Sequence, residues 1–226
     1  MLEDRELVPY RLDDRPAHQL TDAEKQSLGN AVKEWNDARA VWVGLNVWEG
    51  FRPSLFNKLN LDDFVPAKEC IFVRPEIHKS EFYREAGKPT PSSLLPETFD
   101  LLENFASKDP RGLKFDRLRG FVDVSSGEIA TGPFFYRPMG RNSMRRQWAS
   151  ILERAGIAYK APYSARFHVI NEMLEAGVPP KDVGTHSGNI PETIYRNYIE
   201  PSTEESIRSI PELLERHRRQ RKAVAA

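Results

Sequence analysis

A single cysteine, Cys70, is present among 226 residues. That scarcity excludes an internal disulfide framework and any zinc site built from cysteine thiolates, and it fits a reducing, cytoplasmic setting. Nowhere does the chain reach the roughly 18 consecutive apolar residues of a membrane-spanning helix. The opening run from Met1 to Tyr10 lacks the basic-then-apolar pattern of a secretory signal. Internal repeats and low-complexity tracts are absent as well. So is net charge: 33 Lys and Arg balance 33 Asp and Glu. Domains that bind nucleic acid are usually basic overall, so any such role must come from where the charges lie.

The charges are unevenly placed. Residues 1–24 are mainly acidic, whereas residues 137–160 carry Arg137, Arg141, Arg145, Arg146, Arg154 and Lys160 against one carboxylate, Glu153. The tail from Arg208 to Lys222 is basic again. A local patch of this kind suffices for phosphate contact. With 39% hydrophobic residues the chain can bury a real core.

Periodicity and punctuation predict a mainly helical chain. Residues 1–20 show no period and read as an extension or linker. Thr21, Asp22 and Glu24 supply capping chemistry for a helix over 22–36. An apolar helix follows from Ala38 to Trp48, stopped near Gly50. Pro53 opens a short helix over 53–60. Residues 69–75 read as a strand, and Lys88 to Leu94 as its return strand, held at an edge by its prolines. Residues 96–106 are helical in pattern and 109–140 irregular. Further helices are expected from Asn142 to about Ala155, from Ser164 to Ala176, from about Pro179 and from Pro191. A last one, over 203–221, ends in basic residues.

Three segments, in order, resemble the catalytic domain of the tyrosine recombinase (phage integrase) family. The segment Glu49 to Phe64 is similar to the box that supplies the family's first arginine, and this assigns Arg52. The segment Ala161 to Pro180 is similar to the box whose H-x-x-R supplies the second arginine, and this assigns Arg166, with Tyr163 standing where the family has histidine. The segment Ser187 to Glu200 is similar to the box that ends in the nucleophilic tyrosine. Counting from Arg166 through Gly177 puts Asn189 at the family's second histidine and Tyr198 at the nucleophile. A register built on His186 would select Tyr195 instead. Lys79 is assigned as the family's β-hairpin lysine, with Lys88 as rival. His168 is a further candidate for proton transfer, or simply a helix-packing residue.

The resemblance implies a mainly α (α+β) fold: a helical catalytic domain with a small antiparallel sheet near residues 66–95. It divides the chain into an extension over 1–20, the catalytic domain over 21–202 and a C-terminal helix and basic tail over 203–226. It also implies a reaction. A tyrosine attacks a DNA phosphodiester, expels the 5′-hydroxyl and forms a 3′-phosphotyrosine that a second DNA end resolves; no cofactor is required. Two guanidiniums hold the phosphate charge and a lysine protonates the leaving oxygen. Double-stranded DNA is the expected partner, with Arg141, Arg145, Arg146 and Lys160 on its backbone. Self-association through the C-terminal helix and a nucleoid location follow, with no membrane role. Relatives carry a preceding helical domain that closes a clamp on DNA. Residues 1–20 are too short for it, so the expectation is an excised fragment or half a clamp. Loss of both histidines opens a second reading: a decayed member that binds DNA or a protein without cutting. A type IB topoisomerase-like relaxing activity is a third.

Overall fold

A computed structural model describes residues 20–198, which comprise eight α-helices, a three-stranded sheet and a two-stranded one. Residues 1–19 of the extension expected over 1–20, and the C-terminal helix expected over 203–221, lie outside the described residues.

Helix α1, Asp22–Glu34, begins as its capping chemistry requires. The Thr21 hydroxyl accepts from the Glu24 amide at 3.2 Å, and the Glu24 carboxylate accepts from the Thr21 amide at 2.7 Å. Helix α2, Val41–Glu49, follows a short 3-10 turn over Ala38–Ala40. It is buried nearly all round, as its largely apolar sequence demands, with Asn46 and Glu49 buried alongside the apolar residues. Gly50 ends it in the left-handed conformation, at φ 66°. A Cβ there would also lie 3.1 Å from the Val169 side chain, so glycine permits both the turn and the close approach of α6, Pro162–Glu175. This approach sets Arg52 beside Arg166.

Strands β1, Phe64–Val65, β2, Cys70–Val73, and β3, Thr90–Ser93, form an antiparallel sheet in that order. The register pairs Phe64 with Ile71 and Cys70 with Ser93. Strand β3 is an edge strand carrying Pro91, as expected. Between β2 and β3 the chain makes a 3-10 turn over Pro75–Ile77 and a short helix α3, Glu81–Glu85. Helix α4, Pro96–Lys108, buries Leu101, Leu102 and Phe105.

Residues 109–140 are not wholly irregular. Strands β4, Leu113–Asp116, and β5, Gly120–Asp123, form a hairpin whose turn is held by Asp116, accepting from the Leu118 and Arg119 amides. The helix expected over 53–60 shrinks to a 3-10 turn over Pro53–Leu55.

Helices α5, Arg141–Arg154, α6, α7, Pro180–Ser187, and α8, Pro191–Tyr198, complete the described chain. One apolar core joins α1, α2, α4, α5 and the start of α6 with the two sheets. Its aromatic centre includes Phe64, Phe105, Phe121 and Phe134, with ring centroids 4.6 to 5.9 Å apart among the touching pairs. Among the described residues no helix is long and apolar enough to cross a membrane.

Candidate active site

The C-terminal end of α7 is where the two predicted arginines meet. Gly188 closes the helix in the left-handed conformation, φ 65°, and leaves its last carbonyls pointing outward. Arg166 donates to the Ser187 carbonyl at 2.6 Å and to the Gly50 carbonyl at 2.8 Å. Arg52 donates to the next carbonyl, Gly188, at 3.0 Å, and to the Asn189 side-chain oxygen. Two guanidiniums, from residues far apart in the chain, thus grip successive peptides at the negative end of a helix dipole.

A cleft of about 390 Å³ opens over this junction. Its walls carry Arg52, Lys58, His78, Lys79 and Arg84, together with Thr185 to Gly188. Glu76 is the one carboxylate on the walls, and it is paired with Arg74 at 2.9 Å. The cleft is therefore positive. His78 is buried, and burial, with the Arg52 charge adding, holds its imidazole below the usual range. It is neutral at physiological pH, so the positive field comes from the four cations.

Helix α7 also carries the buried His186. Its Nε2 lies 2.8 Å from the Glu49 carbonyl and its Nδ1 lies 3.3 Å from the Ser93 hydroxyl. The ring stacks on Phe51, with centroids 5.5 Å apart. Burial, with the Arg166 charge adding, pushes the imidazole down to about 4. Glu49 beneath it is pushed up to about 7, mainly by burial.

The predicted residues do not all stand together. Arg52 and Lys79 line the cleft. Lys79 follows β2, on the segment between the 3-10 turn and α3 that connects β2 to its antiparallel neighbour β3. Asn189 is buried under Arg52, its carbonyl accepting from the Tyr83 hydroxyl at 2.8 Å and its side-chain nitrogen without a hydrogen-bond partner. Arg166 is fully buried behind the cleft, so its guanidinium does not reach a phosphate lying there as the chain stands. The reason is that its donors satisfy carbonyls at the ends of α2 and α7. Tyr163, in the first turn of α6, is 51% exposed, and its ring centroid lies 6.0 Å from the Arg166 guanidinium carbon. Tyr198 is the last residue of α8, and its side chain is outside the described residues; Tyr195 is 57% exposed. His168 lies half-buried near Asp22 and Glu172 and takes no place in the cleft.

Of the four predicted backbone contacts, Arg141, Arg145 and Arg146 are exposed along α5. Lys160 departs from expectation. Its ammonium pairs with Glu24 of α1 at 2.6 Å, and its side chain is 13% exposed. Lys58, His78 and Arg84 were not singled out from sequence. Lys58 lies within the first similar segment, and His78 adjoins Lys79, but nothing in their spacing marks them.

Two solved structures share this architecture. XerA recombinase matches 89% of this chain and 65% of its own, with a TM-score of 0.57 and 18% identity. The Tn1549 transposon integrase, solved in complex with circular intermediate DNA, matches over 89% and 68%, with a TM-score of 0.58 and 17% identity. The chain has the tyrosine recombinase fold. It spans about two thirds of the length of either protein. No family model matches the sequence, and no curated protein sequence does. At the junction of α2, α6 and α7, Arg52, Arg166 and Asn189 stand together.

Proposed function

We propose that the cleft takes a DNA phosphodiester and that the protein is an integrase-like DNA strand transferase. The observation that carries this reading is the meeting of Arg52 and Arg166 on successive peptides under a cationic cleft. The residues 21–202 act as the catalytic domain, with 1–20 as extension and 203–226 as the segment for self-association on DNA.

In the chemistry proposed, the Tyr198 phenol gives up its proton to water, its oxygen forms a bond to phosphorus and the bond to the 5′-oxygen breaks. Negative charge gathers on the non-bridging oxygens. Arg52 faces them directly, and each such fixed donor contributes on the order of 3 kcal/mol. Lys79 gives its proton to the departing 5′-oxygen. Arg166 acts from behind the carbonyl pair, or directly once Tyr163 swings aside and a phosphate replaces the carbonyls. The phosphotyrosine keeps the ester bond, and a second 5′-hydroxyl reverses the step.

The burial of Arg166 and the substitution of histidine by Tyr163 and Asn189 favour a second reading, in which the site binds DNA without cutting it. A nicked suicide substrate separates the two. The strand transferase forms a denaturant-resistant protein–DNA adduct that Tyr198→Phe abolishes and Tyr195→Phe leaves intact. An adduct lost only in Tyr195→Phe moves the nucleophile to the His186 register. DNA retention without any adduct supports the binding reading.

A further inference from the structure

Beside the cleft, α3 presents Phe82 to solvent at 58% exposure. Its ring stands edge-on to Tyr83, with centroids 5.1 Å apart and planes at 86°. Tyr83 in turn lies flat on His78, at 4.8 Å and 26°. His78 lines the cleft. The three rings therefore run in series from solvent to the cleft wall. The middle ring is fixed: Tyr83 is buried, and its hydroxyl donates to the Asn189 carbonyl at 2.8 Å. Phe82 thus stands on a rigid base.

A lone exposed apolar side chain is ordinary on a protein surface. What distinguishes this one is its place. Lys79 and Arg84, on either side of it in sequence, both line the cleft. Glu81 and Glu85 flank the ring and are exposed, so the positive field belongs to the cleft and the ring itself offers an apolar face. Cations that take phosphate, next to an aromatic ring held open to solvent, are the two parts from which proteins build sites for unpaired nucleic-acid strands.

We propose that Phe82 is a stacking platform for an unpaired nucleobase of a DNA strand whose phosphate occupies the cleft. This rests on the proposed reading of the cleft as a DNA site. The two ring contacts put Phe82 within about 10 Å of His78, a reach of two or three nucleotides at ~3.4 Å per nucleotide. In an intact duplex the base faces are already stacked, and the ring gains nothing. At a gap or a frayed end one face is free. The protein therefore prefers interrupted DNA to continuous duplex.

The test is equilibrium binding of a labelled blunt duplex, and of the same duplex carrying a single-stranded gap, to the full chain. Wild type binds the gapped DNA more tightly. Phe82→Ala weakens gapped binding by about 5- to 150-fold, the range one base–aromatic stack carries, and leaves blunt binding unchanged. Phe82→Trp keeps the preference. Equal gapped binding by wild type and Phe82→Ala overturns the platform, while continued binding of both DNAs leaves the reading of the cleft standing. Wild type that binds neither DNA overturns both. A Phe82→Ala variant whose only defect is lost self-association, measured without DNA, assigns the ring to a protein contact and overturns the platform.

Discussion

Glu49 and His186 show how single residues tie the site to the fold. The Glu49 carboxylate accepts from the Leu95 amide at 2.7 Å and from the Thr98 hydroxyl, with its other oxygen 4.0 Å from the His186 ring. Burial raises Glu49 to about 7 and lowers His186 to about 4. A raised carboxyl stabilises fully below its unfolded value, 4.5, and loses that contribution as pH rises to about 7. A depressed imidazole stabilises fully above 6.5 and loses its contribution as pH falls through about 4. The two slopes oppose each other, so stability is flat in the overlapping window. Glu49→Gln keeps the acceptor and removes one slope. Urea unfolding should show the variant more stable than wild type in mild alkali, by up to about 3 kcal/mol, and losing stability on acidification from 6.5. A variant as flat with pH as wild type would disprove the balance. Tyr163 carries the second prediction at this scale. Its ring lies against the Arg166 guanidinium, at the position where the family's box has histidine. Tyr163→His should speed adduct formation on nicked DNA on the order of 10-fold or more, with a new pH dependence near ~6.5. Unchanged adduct kinetics would show that this position does not limit the reaction.

Elements were legible where their ends are chemically marked. Thr21 and Glu24 announce α1, Gly50 stops α2, and the prolines at 179–180 and Pro191 open α7 and α8, whereas the opening of α6 at Pro162 and the stop of α7 at Gly188 show only in the structure. The hairpin of β4 and β5 was not legible. Each strand has four residues, too few for a period to show, and both end in Asp, a residue depleted in strands. The arginines of the site could be assigned from the similar segments, but their partners could not. Arg166 is sealed by carbonyls 116 and 21 residues away, and no local pattern encodes that. Lys58 and Arg84 reach the cleft through the turn after Arg52 and through α3, a helix too short to read from sequence. The end of α2 is the mechanical link among these parts. Gly50→Ala would force a side chain into the left-handed region and against Val169 at 3.1 Å. Denaturant unfolding should report a loss of about 1–3 kcal/mol. DNA affinity should fall further than that loss explains, because Arg52 and the Gly50 carbonyl that holds Arg166 both move. An affinity unchanged after correction for unfolded protein would free the cleft geometry from the end of α2.

At the scale of the whole molecule, a formal charge of zero and a DNA-binding reading are reconciled by pairing. Many of the cations are spent inside the protein: Lys160 on Glu24, Arg154 on Glu34, Arg111 on Asp109, Arg117 on Asp100 and Glu103. Available to a polyanion are the cleft and the exposed α5 arginines Arg141, Arg145 and Arg146, which have no carboxylate partner among the described residues. Counterion release makes this distinction measurable, because only cations that contact phosphate contribute to the salt dependence of binding. Replacing Arg141, Arg145 and Arg146 together by Gln should flatten the plot of log affinity against log salt by about 0.9 for each contact removed, and by no more than about 3 in all. Lys160→Gln should leave the slope unchanged, since its charge already belongs to Glu24, and should instead lower the unfolding midpoint. A triple variant with the wild-type slope would leave α5 off the DNA path.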